Sequence, residues 1–245
     1  MKIYNDVQQV KPYDTAGIKT GQVNQMFNRI VKTYDFFNHF FSAGLDKTWR
    51  RETIRRVVEE KPVQVLDLAT GTGDMIVELL KQGYFEITGI DINLAMMEIA
   101  RKKVSKFSDK KVEFMQGDIE NLKLPDNSFD AVTIAFGIRN VSNIKKGLAE
   151  MYRIVKPDQK VFILELSIPS NWLFKKLYFM YLKGIIPLVG QIFSKDKNAY
   201  PYLSKSAMSF PAPGQFAEMI KKVGFREVCY DVFSAGIVAL HVARK

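Results

Sequence analysis

The chain has 245 residues, enough for one large α/β domain, and its 47% hydrophobic content excludes a disordered or fibrous class. A formal charge of +10 points to an anionic partner or to solubility alone, and no basic run of nucleic-acid type is present. A single cysteine, Cys229, forms no internal disulfide, and two histidines, His39 and His241, lie too far apart for a zinc spacing. With no apolar signal core between Met1 and Asp14, the expectation is a cytoplasmic protein without a metal.

Residues 1 to about 20 are polar and lack periodicity, which predicts a loosely held tail. From Val23 to Phe41 apolar residues recur at Met26, Phe27, Ile30, Val31, Tyr34, Phe37, Phe40 and Phe41, the spacing of one or two amphipathic helices. Such helices pack on a core, and their Phe face also suits the lining of an apolar channel beneath a lid. Trp49, Ile54, Val57 and Val58 mark another helix that ends before Pro62.

Val63 to Leu68 is an apolar run bounded by turn residues, a buried strand. It leads into Ala69-Thr70-Gly71-Thr72-Gly73-Asp74, where the glycines permit a tight turn and close approach of a ligand to the backbone. Met75, Ile76, Leu79 and Leu80 then follow at helical spacing, and Asp91 closes the next strand, Glu86 to Ile90. A carboxylate at that point accepts hydrogen bonds from both ribose hydroxyls. A bare glycine turn also serves as a plain strand–helix connection, but with Asp91 in register it describes a nucleoside-binding βαβ unit. A dinucleotide site wants Gly or Ala where Ile76 stands. Asp67 and Asp74 flank the turn and suit a cation better than a pyrophosphate. S-adenosylmethionine, with its ribose, sulfonium and ammonium, fits these charges, so Asp67, Gly71, Thr72, Gly73 and Asp91 are read as its cradle.

Leu94 to Phe107 reads as a helix and Val112 to Met115 as a third strand. Asp118 beyond it is placed for an adenine amino group and Ile119 for the adenine face, though Asp118 also suits an ordinary turn. Phe129 to Ala135 is the fourth strand, running into Phe136-Gly137-Ile138-Arg139-Asn140, so Arg139 and Asn140 sit over the reaction site. Ile144 to Val155 is a helix stopped by Pro157, and Lys160 to Leu166 a fifth strand. Trp172 to Phe193 is strongly apolar, yet Lys175, Lys176, Lys183, Pro187 and Gly190 argue against one spanning helix. A helical hairpin over the pocket or an interfacial patch is expected, with a plain core helix as the competitor. Five lysines against Asp196 between Asn171 and Tyr200 favour a membrane surface over nucleic acid. Tyr200, Tyr202 and Phe210 are expected in a loop, then a helix from Gln215 to Val223 and a terminal hairpin of Phe225–Phe233 with Gly236–Ala243.

These motifs resemble class I methyltransferases, and more specifically the ubiquinone/menaquinone-biosynthesis C-methyltransferase family. Tyr34-Asp35-Phe36-Phe37-Asn38 with Ser42 and Trp49-Arg50-Arg51 resembles the family's first signature, and Arg153-Ile154-Val155-Lys156-Pro157 leading to Glu165-Leu166-Ser167 its second. Phe136 to Val141 and Ala235 to His241 match as well. Departures are Phe37 for the usual Met, Asp46 for His, Asp158-Gln159 for Gly-Gly and Ala135 for Ser. The resemblance implies a Rossmann-like, mostly parallel seven-stranded sheet with an antiparallel terminal hairpin, in one domain. Residues 1–60 would form a helical lid, 61–168 the cofactor core, 169–212 a cap, and 213–245 the last helix and hairpin. It implies methyl transfer from S-adenosylmethionine to a ring carbon of a prenylated hydroquinol, demethylmenaquinol first and the ubiquinone-type benzoquinol or another phenol as the alternative. Arg139 would stabilise the developing phenolate and Asn140 orient the hydroxyl, while Tyr34, Asn38, Tyr200 and Tyr202 would contact the quinol. The enzyme would sit peripherally on the inner membrane face, its oligomeric state open, a homodimer included. A non-catalytic lipid-binding module is the reading from another class; a nicotinamide oxidoreductase is disfavoured by Ile76.

Overall fold

Each apolar run becomes a strand because its backbone groups find partners only in a ladder once they are buried. The structure, a computed structural model, describes residues 7–13, 15–83, 86–107, 111–193 and 196–245; of the side chains at 189 and 191–193 nothing is described. The order is α1 (Lys19–Ile30), α2 (Tyr34–Phe41), α3 (Leu45–Glu59), β1 (Gln64–Leu68), α4 (Asp74–Gln82), β2 (Glu86–Asp91), α5 (Leu94–Val104), β3 (Lys111–Gln116) and β4 (Phe129–Ala135). It continues with α6 (Ile144–Ile154), β5 (Val155–Leu166), α7 (Trp172–Met180), α8 (Ile186–Phe193), α9 (Ala199–Met208), α10 (Pro213–Val223), β6 (Arg226–Phe233) and β7 (Val238–Arg244).

The seven strands lie in the order β3-β2-β1-β4-β5-β7-β6. β1 to β5 pair in parallel, and β7 runs antiparallel to both β5 and β6. The expected seven-stranded sheet with its terminal hairpin is the one found. The winding reverses between β1 and β4, where an open sheet leaves a crevice at its carboxyl edge. Leu66, Leu68, Val132 and Ile134 face α6 and α10, while Val65, Ala131 and Phe162 face α3 and α4. A third apolar cluster lies apart: Val23, Met26, Phe37, Tyr178, Leu182 and Tyr200 join α1 and α2 to α7–α9. That cluster is the cap over the crevice.

Four expectations change. Residues 1–6 and 14 lie outside the described residues, but the rest of the supposed tail is anchored: Val7 and Lys19 are buried. Tyr200 and Tyr202 lie on α9, not in a loop, because Pro201 falls in the first helical turn, where a missing N–H leaves no bond unmade. Trp172 to Phe193 forms no hairpin: a π-helical turn, Tyr181–Ile185, joins α7 to α8 without a loop. Gly190 lets α8 approach α9, since a Cβ there would meet Tyr200 at 2.4 Å. Lastly, β5 begins at Val155 and carries Pro157, so α6 stops at Ile154. Among the described residues no helix is long and apolar enough to cross a membrane.

His241 on β7 is buried between Phe216 and Tyr230, with Nε2 2.9 Å from the Pro213 carbonyl and Nδ1 unpartnered. Burial holds its pKa down, to about 4. The unfolded chain therefore takes up this proton first, and stability present above pH 6.5 is lost as pH falls toward 4. Thermal unfolding should reveal a loss of about 3 kcal/mol over that window, and His241→Gln should flatten it.

Candidate functional site

The glycine turn is built as the sequence suggests. Gly71 and Gly73 hold φ of 56° and 83°, and a Cβ at Gly73 would meet Ala100 of α5 at 2.8 Å. Ile76 fills the space that a dinucleotide fold leaves on its helix; the small residue sits on the strand instead, at Gly89, whose Cβ would meet Ile76 at 2.8 Å. Ala69 and Phe136, at the ends of β1 and β4, both adopt positive φ (49° and 57°), a strained state for non-glycine residues. Their loops touch: a Cβ at Gly137 would lie 2.5 Å from the Ala69 Cβ.

Over this crevice lies an open cavity of about 680 Å³, counting the solvent at its mouth, roofed by Thr20, Val23 and Phe27 of α1 and floored by Gly71, Asp91 and Asp118. Asp91 accepts the Gly71 N–H on Oδ2 at 2.7 Å and the Asn93 N–H on Oδ1 at 2.7 Å. Each oxygen keeps a lone pair for a ribose hydroxyl. Burial raises the Asp91 pKa, opposed by these backbone bonds. Ile119 and Met96 supply apolar wall for a purine. Two carboxylates and no Lys or Arg line this cavity among the described residues, so its field favours a ligand carrying positive charge. The donor set therefore fits the methyl donor.

Not every residue of the expected cradle reaches the cavity wall. Asp67 is buried beneath it, accepting from Thr133 Oγ1 at 2.7 Å and Thr70 Oγ1 at 2.9 Å, and burial pushes its pKa up to about 7. Thr72 turns toward the cap, donating to Asp35 at 2.5 Å. Gly73 caps α4 behind the turn. Gly71, Asp91, Asp118 and Ile119 are brought together as expected.

A second, apolar cavity of about 1700 Å³, counting the solvent at its open mouth, abuts the first. Tyr34 and Phe136 line both and form the partition between them. Asn38, Arg50, Trp49 and Arg139 line the inner end, and Phe40, Leu45, Phe174, Leu177 and Ile185 the mouth. Arg139, 4% exposed, bonds Glu165 Oε1 at 2.5 Å and the Phe136 carbonyl at 2.7 Å through Nη1, while its buried Nε has no partner. Burial is the largest influence and works against this charge, but Glu165, Tyr34 and Tyr202 together raise the Arg139 pKa. Asn140 faces the donor cavity and accepts from the Tyr202 hydroxyl at 3.0 Å. Tyr202 thus reaches the site through Asn140. Tyr200 packs on Phe37 and Phe41 in the cap core and lines neither cavity. Burial raises the Tyr34 pKa, opposed by a hydrogen bond with Asn38 and by the nearby Arg139 and Arg50 charges.

Sequence reasoning gave no role to Arg50, Asp46 or Glu165. Asp46, where the family resemblance leads one to expect His, accepts from Ser42 at 2.6 Å, from Arg50, and bonds His39 Nδ1 at 2.8 Å. His39, Asp46 and Asp74 hold their ligand atoms within 4.8 Å of one another, but Arg50 and Lys103 already neutralise the two carboxylates. Glu165 was visible as an acid at the end of an apolar strand, a signal that charge is placed there on purpose.

A crevice at the switch point, with a buried acid whose free lone pairs suit a ribose and an adjoining apolar cavity, is that of an S-adenosylmethionine-dependent methyltransferase of the class I fold. A solved methyltransferase of Thermotoga maritima, described as a possible histamine N-methyltransferase, shares that fold with a TM-score of 0.65 at 20% identity, covering 91% of this chain and 99% of its own. Phosphoethanolamine N-methyltransferase 2 of Haemonchus contortus, solved with S-adenosyl-L-methionine, overlays with a TM-score of 0.55 at 18% identity, over 75% of this chain and 48% of that one. The chain belongs to the ubiE/COQ5 methyltransferase family, whose model matches residues 15–245. It is 42% identical to the demethylmenaquinone methyltransferase of Porphyromonas gingivalis over 97% of this chain and 98% of the relative. It is 38% identical to the ubiquinone/menaquinone biosynthesis C-methyltransferase UbiE of Geotalea daltonii over 93% and 97%.

The contact between the two loops sets a test. Gly137→Ala should cost about 2 kcal/mol in urea unfolding and weaken donor binding at least tenfold by calorimetry. Gly21→Ala, on an exposed face of α1 with nothing within 4 Å of its Cβ, should leave both unchanged or slightly improved.

Proposed function

We propose that this enzyme methylates a ring carbon of demethylmenaquinol, with Arg139 stabilising the phenolate that makes the ring nucleophilic. The observation that carries the reading is the Arg139 side chain: permanently charged, held by Glu165 and the Phe136 carbonyl, with an unpartnered Nε at the inner end of the apolar cavity. When bound, S-adenosylmethionine supplies a methyl group already activated on a sulfonium. What remains for the protein is alignment, which is worth ~7–11 kcal/mol when the reacting atoms are held in line. A phenol titrates near ~10, so a guanidinium beside it favours the reactive anion at neutral pH. Asn140, fixed by Tyr202, orients the hydroxyl across the partition. Tyr34 and Asn38 at the inner end of the cavity contact the ring, and Gly71, Asp91, Asp118 and Ile119 hold the donor.

The apolar cavity accepts the prenyl tail. Its mouth residues Phe174, Leu177, Phe40 and Ile185 are at least half exposed, and Trp172, 72% exposed, extends the same surface along α7. Lys175 and Lys183 flank the ring of Phe179 at 5.7 Å, bringing positive charge to this apolar surface. An apolar face edged by lysines suits the surface of an anionic bilayer, from which a prenylated quinol enters without crossing water. The relatives named demethylmenaquinone methyltransferase support the naphthoquinol over the benzoquinol as the substrate.

Three measurements test this reading. Given labelled donor and both quinols, the enzyme should transfer label to demethylmenaquinol; exclusive labelling of the benzoquinol refutes the choice of ring. Arg139→Ala should lower kcat about 10²-fold while the donor Kd stays within threefold; equal losses of both would remove Arg139 from the chemistry. The enzyme should float with vesicles containing phosphatidylglycerol, and Trp172→Ser with Leu177→Ser should release it; failure to float overturns the membrane reading.

A further inference from the structure

α1 opens with a lysine that points inward. Lys19 is 2% exposed, one of the largest fully buried side chains in the protein. Its Nζ donates to the Val7 carbonyl at 2.6 Å and to the Arg139 carbonyl at 2.7 Å. Thr20 grips the same region: its N–H donates to Ser142 Oγ at 3.0 Å, and the two hydroxyls share a hydrogen bond of 2.6 Å. Glu120 completes the clamp by accepting from the Ser142 and Asn143 N–H groups at 2.7 and 2.9 Å. The start of α1 is thereby tied to the short 3₁₀ turn Ile138–Asn140 and the residues after it. The same helix roofs the donor cavity through Thr20, Val23 and Phe27.

Burying an amine is costly, and a carbonyl can be satisfied by a neutral donor or a water. A lysine at this point gains a reach that neither has: it spans from the lid helix to the backbone of Arg139. We propose that Lys19 is a positioning residue, fixing the Arg139 carbonyl and so the aim of the Arg139 and Asn140 side chains, and making that alignment conditional on α1 being seated over the donor cavity. The inference rests on the role given to Arg139 above.

The charged groups facing Lys19 are Arg139 in the turn, Glu120 beyond β3 and Glu165 on β5. Burial dominates, Arg139 adds to it, the two acids oppose it, and the amine is held down to about 7. A neutral amine carries two N–H donors, which matches the two carbonyls. Seating α1 therefore releases a proton between pH 7 and the ordinary 10.5. Across that range seating grows more favourable as pH rises, and below it seating is indifferent to pH.

Lys19→Met keeps most of the apolar stem of the side chain and removes its donors. In the full-length enzyme it should lower kcat at least 30-fold with the quinol KM within threefold. The donor's own ammonium titrates in this range in both proteins, so the reading is the difference: the ratio of wild-type to Lys19→Met donor affinity should rise from pH 7 to 9. In an Arg139→Ala background, adding Lys19→Met should cost far less kcat than it does in the wild type. A kcat within threefold of wild type, a donor-affinity ratio that stays flat with pH, or losses that multiply in the double variant would each overturn the proposal. If Arg139→Ala alone keeps its turnover, the role of Arg139 falls, whereas the pH slope of that ratio still reports on the seating of α1. Should Lys19→Met fail to fold, the shorter, neutral Lys19→Gln takes the same measurements and is held to the same outcomes.

Discussion

The site depends on one buried ion pair. Arg139 and Glu165 meet at 2.5 Å, 4% and 1% exposed by side chain, where the loop after β4 crosses the end of β5. Taking two charges from water costs several kcal/mol each, and a pair of this kind adds little to stability over an apolar replacement. Its value is placement. β4 and β5 are neighbours in the sheet, and Glu165 also accepts from the Arg139 and Leu166 N–H groups, so the carboxylate fixes both ends of the arginine. A guanidinium held that way keeps its charge in surroundings that would neutralise a lysine, as the depressed pKa of neighbouring Lys19 illustrates.

From that pair the molecule divides its charge between two adjoining spaces. The donor cavity is lined by Asp91 and Asp118 with no cation among the described residues, and the inner end of the apolar cavity carries Arg50 paired with Asp46 and Arg139 paired with Glu165. Tyr34 and Phe136 stand between them, Phe136 in a strained backbone state with the Arg50 guanidinium 5.2 Å from its ring centroid. A positively charged ligand is drawn to the first of these spaces. The strain at Ala69 and Phe136 is local to where β1 and β4 end, and the absence of a side chain at Gly137 lets those two loops touch.

What the sequence made legible was local. The glycine turn, Asp91, the strands and the terminal hairpin follow from spacing and apolar runs whose partners lie within one βαβ unit or one hairpin. Arg139 and Asn140 were legible because the carboxyl ends of parallel strands face the ligand whatever the rest of the chain does. The misses depend on residues far apart in sequence. Lys19 lies in a polar stretch without periodicity, and its burial is decided by carbonyls 12 and 120 residues away. The prolines clustered around Tyr200 and Tyr202 predict a loop, yet Pro201 occupies the one part of a helix that tolerates it. Thr72 sits on the expected turn but bonds Asp35 of the cap, a direction that spacing alone does not encode.

The contact that joins the cap to the glycine turn and the contact that holds the cap together differ in strength. On one side a chain of charges runs from Asp35 through Lys103 and Asp74 toward Arg50 and Asp46. Lys103 and its two partners are each about a quarter exposed, so those bonds are screened and contribute little to adhesion. On the other side Phe37 and Phe41 of α2 pack against Tyr200 of α9, and Tyr178 and Leu182 close the same cluster, apolar area that is largely withdrawn from water. The cap therefore holds together as its own body more firmly than its ionic edge holds it to the glycine turn. Its firm attachments near the chemistry are the Tyr202–Asn140 bond and the Lys19–Thr20 clamp, both of which end on the 3₁₀ turn or the residues beside it. The fold thus ties the roof of the donor cavity to the segment that carries Arg139, and leaves the surface by the lysines of α7 apolar and open.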